Sequence, residues 1–201
     1  MSKYIVVTGS IASGKSTLIK KLSEISGYSI LPEPDVALSM LCNLFSEPAR
    51  WAAEVQLAFL IQKAANIKKL HTTGADFIVD RSLEEDAQIF EKHFYESNYI
   101  SDGMHQVYSD AFEILTSCLP KPNCYIYCEC TYNVACKRIK GRNKQYDKYF
   151  EDKHLQTIYK RYGIWKNAFK KEMIELNSLH DDWRSMAVAK SLYEEKIKYK
   201  L

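Results

Sequence analysis

The sequence predicts an α/β fold in which a five-stranded parallel sheet is flanked by helices. The strongest observation is a glycine-rich loop, Gly9–Thr17, which follows an apolar run at Tyr4–Thr8 and opens a helix. A second observation is that short apolar runs, often β-branched or aromatic, recur along the chain. Long segments with helical spacing separate these runs, and strands that alternate with helices in this way are typical of parallel sheets.

Each predicted element is either an apolar run of strand length or a longer segment with helical spacing. The predicted strands are Tyr4–Thr8, Tyr28–Leu31, Phe77–Val79, Cys124–Cys130 and Met173–Leu176. The predicted helices cover residues 15–26, 36–45, 49–71, 84–97, 103–118, 131–140, 152–171 and 182–199. No repeat, low-complexity tract or Pro/Gly linker divides the chain, so residues 1–201 are predicted to form a single domain.

Length and composition favour an intracellular protein that binds small molecules. The chain has 201 residues, of which 46% are apolar, and a chain of this size buries about 70% of its unfolded surface without disulfides or metals. No stretch is long and apolar enough to cross a bilayer, and Met1-Ser2-Lys3 leads into the first strand without a secretory signal. We therefore expect a cytoplasmic location and no membrane partner. A net charge of +3 fits a local site for an anionic small molecule better than a nucleic-acid surface.

The cysteines and histidines form no pattern typical of a metal site or a catalytic triad. The six cysteines include no C-x-x-C pair, so no zinc site is expected. We interpret them as small apolar residues in a reduced core. The five histidines are interpreted as structural or surface residues.

The loop that follows the first strand has the composition of a nucleotide phosphate site. Its residues match G-x-x-x-x-G-K-[ST], in which backbone N–H groups at a helix N-terminus surround phosphates. The lysine can reach the terminal phosphates, and the following serine hydroxyl can hold Mg²⁺. An ordinary Gly/Ser turn that opens a helix is the alternative. The predicted ATP-binding residues here are Gly9, Ser10, Ile11, Ala12, Ser13, Gly14, Lys15, Ser16 and Thr17.

Carboxylates follow the second and third predicted strands, at the edge where open parallel sheets bind ligands. Asp80 comes directly after Phe77–Val79, where a P-loop enzyme keeps a carboxylate for the magnesium shell. Glu33 precedes Pro34, which favours an extended backbone and directs the carboxylate to the same edge. There Glu33 could accept the proton of a hydroxyl that attacks the γ-phosphate. The alternatives are a helix start at Asp80, where Ser82 also predicts a capping box, and a solvated turn at Glu33.

A basic segment follows the predicted helix 131–140. Arg138, Lys140 and Arg142 lie close together, and Gly141 supplies a hinge. Such a segment, at about 138–148, could close as a short lid over a transferring phosphate, whereas a solvated helix end is the alternative.

Two polar residues share one face of the largely apolar helix 49–71. Gln56 and Lys63 are seven positions apart, which places them about 20° apart around the helix axis. This stacking suggests one wall of a substrate pocket, although Lys63 could instead extend to water.

In their order and spacing, these motifs resemble the deoxynucleoside kinase family, in the branch of deoxyadenosine, deoxyguanosine and deoxycytidine kinases. The resemblance extends from Val6 to about Asp147. It implies a P-loop kinase with a five-stranded parallel sheet and a short basic lid. Besides the glycine-rich loop, the matching motifs are Glu33-Pro34, Glu47-Pro48-Ala49-Arg50-Trp51 with Gln56, Asp80-Arg81-Ser82 with Asp86, Ile89-Phe90, Tyr95-Glu96-Ser97, Tyr108 with Asp110, and Arg138-Ile139 with Gly141-Arg142-Asn143.

The resemblance also implies roles in phosphoryl transfer. Glu33 would be the base on the 5′-hydroxyl, and Arg81 would hold both Glu33 and the reacting oxygen. Ser16 and Asp80 would complete the magnesium shell. The residues that would clamp the phosphates, beside Lys15, are Arg138 and Arg142.

Base recognition and assembly follow from the same resemblance. Gln56 would hydrogen-bond the nucleobase, and Asp86 with Lys63 would form a second base-reading pair. Members of the family usually form dimers through helices, so a homodimer is expected.

The chain departs from the family pattern at three residues and in the length of the lid. Lys63 stands where this branch usually has arginine, so bidentate reading of the base is weakened. Phe45 and Gln145 stand where a tyrosine and a glutamate usually meet the sugar 3′-hydroxyl. The lid segment between Arg138 and Gly141 is also shorter than usual.

We therefore expect an ATP- and Mg²⁺-dependent kinase of nucleotide salvage, which converts a purine deoxynucleoside or deoxycytidine to its 5′-monophosphate. One alternative is a kinase of nucleoside monophosphates or of another small hydroxyl compound, which would need a further cationic site near Glu33. The other is a catalytically inactive nucleotide-binding subunit. Against it stand Lys15, Glu33, Asp80 and Arg81, which are all intact.

Overall fold

A five-stranded, all-parallel sheet forms the centre of the protein, in a computed structural model that describes residues 2–141, 152–169, 173–177 and 182–201. The strand order is β2-β3-β1-β4-β5, and β1 pairs with both β3 and β4. The predicted fold class is confirmed. The strands are β1 Tyr4–Thr8, β2 Ser29–Leu31, β3 Phe77–Asp80, β4 Cys124–Glu129 and β5 Met173–Asn177.

Helices of very different lengths surround this sheet. They are α1 Lys15–Ser26, α2 Asp35–Ser39, α3 Leu41–Ser46, α4 Pro48–Thr72, α5 Leu83–Glu85, α6 Lys92–Glu96, α7 Asp102–Ser117, α8 Tyr132–Gly141, α9 Asp152–Phe169 and α10 Met186–Leu192. A π-helical segment, Asp86–Glu91, joins α5 to α6, and α10 continues into π-helical and 3₁₀ turns over Tyr193–Ile197 and Lys198–Lys200.

The helices differ from the sequence prediction in three places. The predicted helix 36–45 is two helices, because Met40 makes a tight turn in which its N–H bonds the Ala37 carbonyl at 3.2 Å. The predicted helix 84–97 changes to π-helical hydrogen bonding at Asp86. The predicted helix 182–199 begins only at Met186, since Asp182–Ser185 form a turn that brings Trp183 to the phosphate loop.

The sheet is buried on both faces, as expected for parallel strands covered by helices. Ile5 and Val7 of β1 pack on one side, in a cluster with Leu18 and Leu22 of α1. Tyr4 and Val6 face the opposite side, in a cluster with residues of β3, α4 and α7. This packing makes the central strands a rigid base for the loops at their carboxyl ends.

Local signals explain how the segment after β3 begins. Ser82 accepts a hydrogen bond from the Glu85 N–H at 3.1 Å, and the Glu85 carboxylate accepts one from the Ser82 N–H at 2.7 Å. This is the predicted capping box. All six cysteines are free thiols, and within the described ranges we find no helix long and apolar enough to span a membrane.

Candidate active site

The phosphate loop follows β1 and requires glycine at two positions. Gly9 has φ +133°, and a Cβ there would lie 2.4 Å from the Cys128 carbonyl oxygen. Gly14 has φ +99°, and a Cβ there would lie 3.2 Å from the Trp183 ring, whose Nε1 donates to the Gly14 carbonyl at 3.1 Å. Residues from distant parts of the chain therefore hold the loop tightly from outside.

Lys15 lies under this loop with its ammonium directed at backbone oxygens. Its Nζ donates to the carbonyls of Gly9 at 2.7 Å and Ser10 at 2.9 Å. Burial, followed by the charge of Arg81, lowers the pKa of Lys15 to about 8. An anion in the loop would favour the charged ammonium, so the site is suited to phosphate.

Ser16, in the first turn of α1, meets Asp80, the last residue of β3. The Ser16 hydroxyl donates to Oδ2 of Asp80 at 3.4 Å, while Oδ1 of Asp80 is buried and has no hydrogen-bond partner among the described residues. Burial and the neighbouring Glu33 raise the pKa of Asp80. No group of three or more metal-ligating side chains occurs in the described part of the chain. One carboxylate beside one hydroxyl nevertheless fits Mg²⁺, which keeps waters and takes its other ligands from substrate phosphates.

Glu33 and Arg81 form an ion pair at the same edge of the sheet. Arg81 Nε lies 2.7 Å from Glu33 Oε1, and the guanidinium lies over the Phe90 ring, 5.0 Å from its centroid. Arg81 has φ +69°, a left-handed conformation that is costly for a residue with a Cβ. The backbone is held there by the Arg81 N–H, which donates to the Val7 carbonyl at 3.0 Å. Strain held by the surrounding structure is typical of functional sites.

Gln56, Lys63 and Asp86 lie together between α4 and the segment after α5. Lys63 Nζ donates to Asp86 Oδ2 at 2.6 Å, and both side chains are almost fully buried. Burial raises the pKa of Asp86 to about 6, although the Lys63 ammonium acts in the opposite direction. Gln56 and Asp86 line the cavity, whereas Lys63 is not among the residues that line it. Lys63 therefore does not extend to water; it pairs with Asp86.

These groups surround one cavity of about 350 Å³, within the size range of small-molecule sites. Its polar lining comes from the phosphate loop, Glu33, Gln56, Asp80, Arg81, Asp86 and Arg138. The sequence analysis assigns no role to several apolar or aromatic residues that also line it, because helical spacing alone does not distinguish a core residue from a cavity wall. They are Leu38, Leu41, Leu44, Phe59, Phe90 and Phe94.

His154, which the sequence analysis interprets as structural or surface, also lines the cavity. The Phe45 ring meets the His154 ring edge-on, with centroids 5.7 Å apart. His154 Nδ1 lies 2.8 Å from Nε2 of His93, and burial lowers the pKa of each imidazole to about 4. A neutral His154 therefore stands beside Phe45 at neutral pH, with a neutral His93 behind it. No sequence signal connects two histidines 61 positions apart.

Part of the predicted lid lies in the described structure. Arg138 lines the cavity, and its Nη1 donates to the Ala12 carbonyl of the phosphate loop at 3.1 Å. Ala12 has φ +61°, so this contact supports another strained position of the loop. Arg142 and Gln145 lie outside the described residues.

Comparisons with known proteins find similarity over nearly the whole chain. A family model described as "Deoxynucleoside kinase" matches residues 5–198. A deoxyadenosine/deoxycytidine kinase of Bacillus subtilis is 28% identical over 170 residues, which cover 84% of this chain and 78% of the relative. A probable deoxycytidine kinase of fowlpox virus is 26% identical over 206 residues, which cover 96% of this chain and 87% of the relative.

Solved structures show the same fold. A deoxyadenosine kinase from M. mycoides with bound dATP superposes with a TM-score of 0.80 at 21% identity, covering 96% of this chain and 98% of that one. The same enzyme with bound dCTP gives a TM-score of 0.79 at 22% identity, covering 98% and 99%.

Proposed function

The chain belongs to the deoxynucleoside kinase family, whose members use ATP to phosphorylate deoxynucleosides, and we propose that Glu33 is the base that takes the proton of the 5′-hydroxyl. The observation that carries this assignment is the Glu33–Arg81 pair, whose Nε–Oε1 distance is 2.7 Å, in the same cavity as the phosphate loop. Arg81 orients the carboxylate and can also stabilise charge on the attacking oxygen. Phosphoryl transfer needs little other covalent help from the protein, because positioning and electrostatics supply most of the catalysis.

The cations around the loop would neutralise phosphate charge. Lys15 would exchange its two loop carbonyls for phosphate oxygens, and Arg138 already contacts the loop at Ala12. Arg142 is proposed as a further clamp. Ser16 and Asp80 would hold Mg²⁺. Mg²⁺ held there would supply a Lewis acid for the charge on the phosphate oxygens.

The apolar half of the cavity would take the nucleoside. Gln56 offers both a donor and an acceptor to the base, and Asp86, held by Lys63, offers an acceptor to an exocyclic amino group. Thymine lacks such an amino group, so we propose a preference for deoxyadenosine, deoxyguanosine or deoxycytidine.

The positions of the cationic side chains in the cavity do not favour a nucleoside monophosphate as the substrate. Among the described residues that line it, the lysine and arginine side chains are Lys15, Arg81 and Arg138. Lys15 and Arg138 contact the phosphate loop, and Arg81 pairs with Glu33. None of the three is placed to bind an acceptor phosphate.

A homodimer is proposed through the outer faces of α4 and α7. Ile61 on α4 is 51% exposed, and Val107 and Ile114 on α7 are 50% and 64% exposed. Exposed large aliphatic side chains on two helices that contact each other favour a protein interface. Because its cysteines are free thiols, we propose that the protein functions in a reducing compartment, the cytoplasm.

The function is tested with purified protein, ATP, Mg²⁺ and each of the four common deoxynucleosides, with 5′-monophosphate formation followed by chromatography. We expect turnover of at least one purine deoxynucleoside or of deoxycytidine, and weaker turnover of thymidine. Lys15→Ala should weaken both ATP affinity and rate, because its ammonium acts on phosphate charge in the ground state and the transition state. Absence of monophosphate with every deoxynucleoside, or an unchanged rate for Lys15→Ala, would contradict the proposal.

A further inference from the structure

Glu85 is a fully buried carboxylate that lies next to the cavity without lining it. Three donors converge on its two oxygens. Oε2 accepts the Ser82 N–H at 2.7 Å, and Oε1 accepts the Tyr162 hydroxyl at 2.8 Å and the Gly9 N–H at 3.3 Å. The capping box uses only Oε2 and the Ser82 hydroxyl, so helix capping does not explain the contacts of Oε1.

Tyr162 connects Glu85 to the catalytic pair. It lies on α9, 1% exposed, and its hydroxyl donates to Glu85 while accepting a hydrogen bond from Arg81 Nη1. Burial is the main reason that the pKa of Tyr162 lies well above 10. The hydroxyl is therefore neutral, and its one proton is directed to Glu85, which leaves the oxygen to accept from Arg81.

The Arg81 guanidinium is held at two points of its plane. Nε meets Glu33 at 2.7 Å, and Nη1 meets Tyr162 and lies 3.9 Å from Glu85 Oε1. A single contact at Nε would leave the plane free to rotate about that contact, whereas two contacts fix it. The backbone of Arg81 is also strained at φ +69°, and such strain persists only where surrounding contacts hold it.

We propose that Tyr162 and Glu85 are positioning residues for phosphoryl transfer, which hold Arg81 against Glu33 and tie the same carboxylate to the first glycine of the phosphate loop. Through them, α9 sets the alignment of the base relative to the loop. The proposal rests on the assignment of Glu33 as the base. Neither residue touches the reacting atoms; both act through Arg81 and Gly9.

The test is Tyr162→Phe, which removes one oxygen and keeps the ring contacts with Phe90 and Trp165. We expect kcat to fall about tenfold to a hundredfold, the range expected when a catalytic group is misplaced by up to about 1 Å. The KM values for ATP and for the deoxynucleoside should change little. The matched control is Tyr4→Phe, which loses a hydroxyl bonded to the Pro120 carbonyl at 2.8 Å at the opposite end of β1. Tyr4→Phe should keep the wild-type kcat.

A double-mutant cycle with Glu33→Gln separates positioning from a purely structural role. If Tyr162 acts through Arg81 on Glu33, Tyr162→Phe should lose most of its effect on kcat once Glu33 is replaced. An equal loss in both backgrounds, or a wild-type kcat for Tyr162→Phe, would overturn the proposal. Failure of the proposed function would appear separately, as absent turnover in the wild type or as an unchanged kcat for Glu33→Gln alone.

Glu85→Gln provides a second variant. In Glu85, one oxygen accepts from the Ser82 N–H and the other from the Tyr162 hydroxyl. The glutamine amide has only one acceptor oxygen, so its NH₂ group must face one of these two donors. We expect it to lower kcat at least as much as Tyr162→Phe, and the two losses should not multiply in the double variant. Multiplicative losses would show that Tyr162 and Glu85 act independently, which would contradict the proposal that they position Arg81 together.

Discussion

Glu33 is the residue on which the proposed chemistry most depends. Glu33→Gln keeps the size of the side chain and removes the basic oxygen, so we expect kcat to fall about 10²–10⁴-fold, the usual contribution of a positioned base. ATP binding, measured as Kd by titration, should remain nearly unchanged, since Glu33 acts on the acceptor. The control is Glu24→Gln on α1, where an exposed glutamate pairs with Lys21 at 3.5 Å. If Glu33→Gln keeps half of the wild-type kcat, another group is the base.

Phe45 predicts that the site accepts nucleosides whose sugar lacks the 3′-hydroxyl. The structure places its ring in the cavity wall beside His154, with a phenyl group where the family resemblance leads one to expect a phenol. A site built to bond a hydroxyl rejects analogues that lack it by up to about 10⁴–10⁵-fold, whereas an apolar wall discriminates far less. We expect 2′,3′-dideoxynucleosides to be phosphorylated within about tenfold of the deoxynucleoside, a loss of roughly 1.4 kcal/mol.

The measurement is kcat/KM for a deoxynucleoside and its dideoxy analogue. A gap of a thousandfold or more would mean that strong recognition of the 3′-hydroxyl survives in this chain. Asp147→Asn and Glu151→Gln, outside the described residues, would then identify its source, together with His154→Phe in the cavity wall.

At the scale of elements, α6 and α9 meet through the His93–His154 contact, and this contact predicts sensitivity to acid. Both imidazoles have their pKa lowered to about 4 by burial, from the usual 6.5. Between these values the unfolded chain binds more protons than the folded protein, so the stability that the pair supplies is complete above pH 6.5 and is lost as pH falls through 4. The pair therefore lowers the free energy of unfolding in acid.

The double variant His93→Phe/His154→Phe tests this dependence by urea unfolding at pH 7 and pH 4.5. Asp86 acts in the opposite direction, because its pKa is raised to about 6 and protonation there favours the folded state. The informative quantity is thus the difference between variant and wild type. We expect the variant to lose less stability than the wild type between the two pH values; parallel losses would show that the pair is not the source.

At the scale of the whole molecule, the outer faces of α4 and α7 predict a dimer. Light scattering after gel filtration should give twice the chain mass of 23.3 kDa for the wild type. Ile61→Glu with Ile114→Glu should give a monomer, because charges at the centre of an apolar interface are not paired. Ile164→Glu is the matched control, since Ile164 is 74% exposed on α9, outside the proposed interface. A monomeric wild type, or a dimer that survives the double substitution, would contradict the proposed interface.

The sequence alone determined those features that depend on neighbouring residues. Strand and helix periodicity predicted the parallel sheet, the spacing of Gly9, Gly14 and Lys15 predicted the phosphate loop, and Ser82 with Glu85 predicted a capping box. Because parallel strands end at one edge of a sheet, the positions of Glu33 and Asp80 just after two predicted strands were enough to predict that they share one site. The family followed from the order of these motifs.

Only the tertiary structure decided which distant side chains meet. Lys63 is not among the residues that line the cavity, Tyr162 bonds Glu85 across 77 positions, and Trp183 donates to the Gly14 carbonyl across 169 positions. The periodicity of apolar residues predicts which face of a helix is buried. It does not predict which other element that face packs against, or at which position along that element. The packing partners of each element are set by close packing of the whole core, which depends on residues far apart in the sequence.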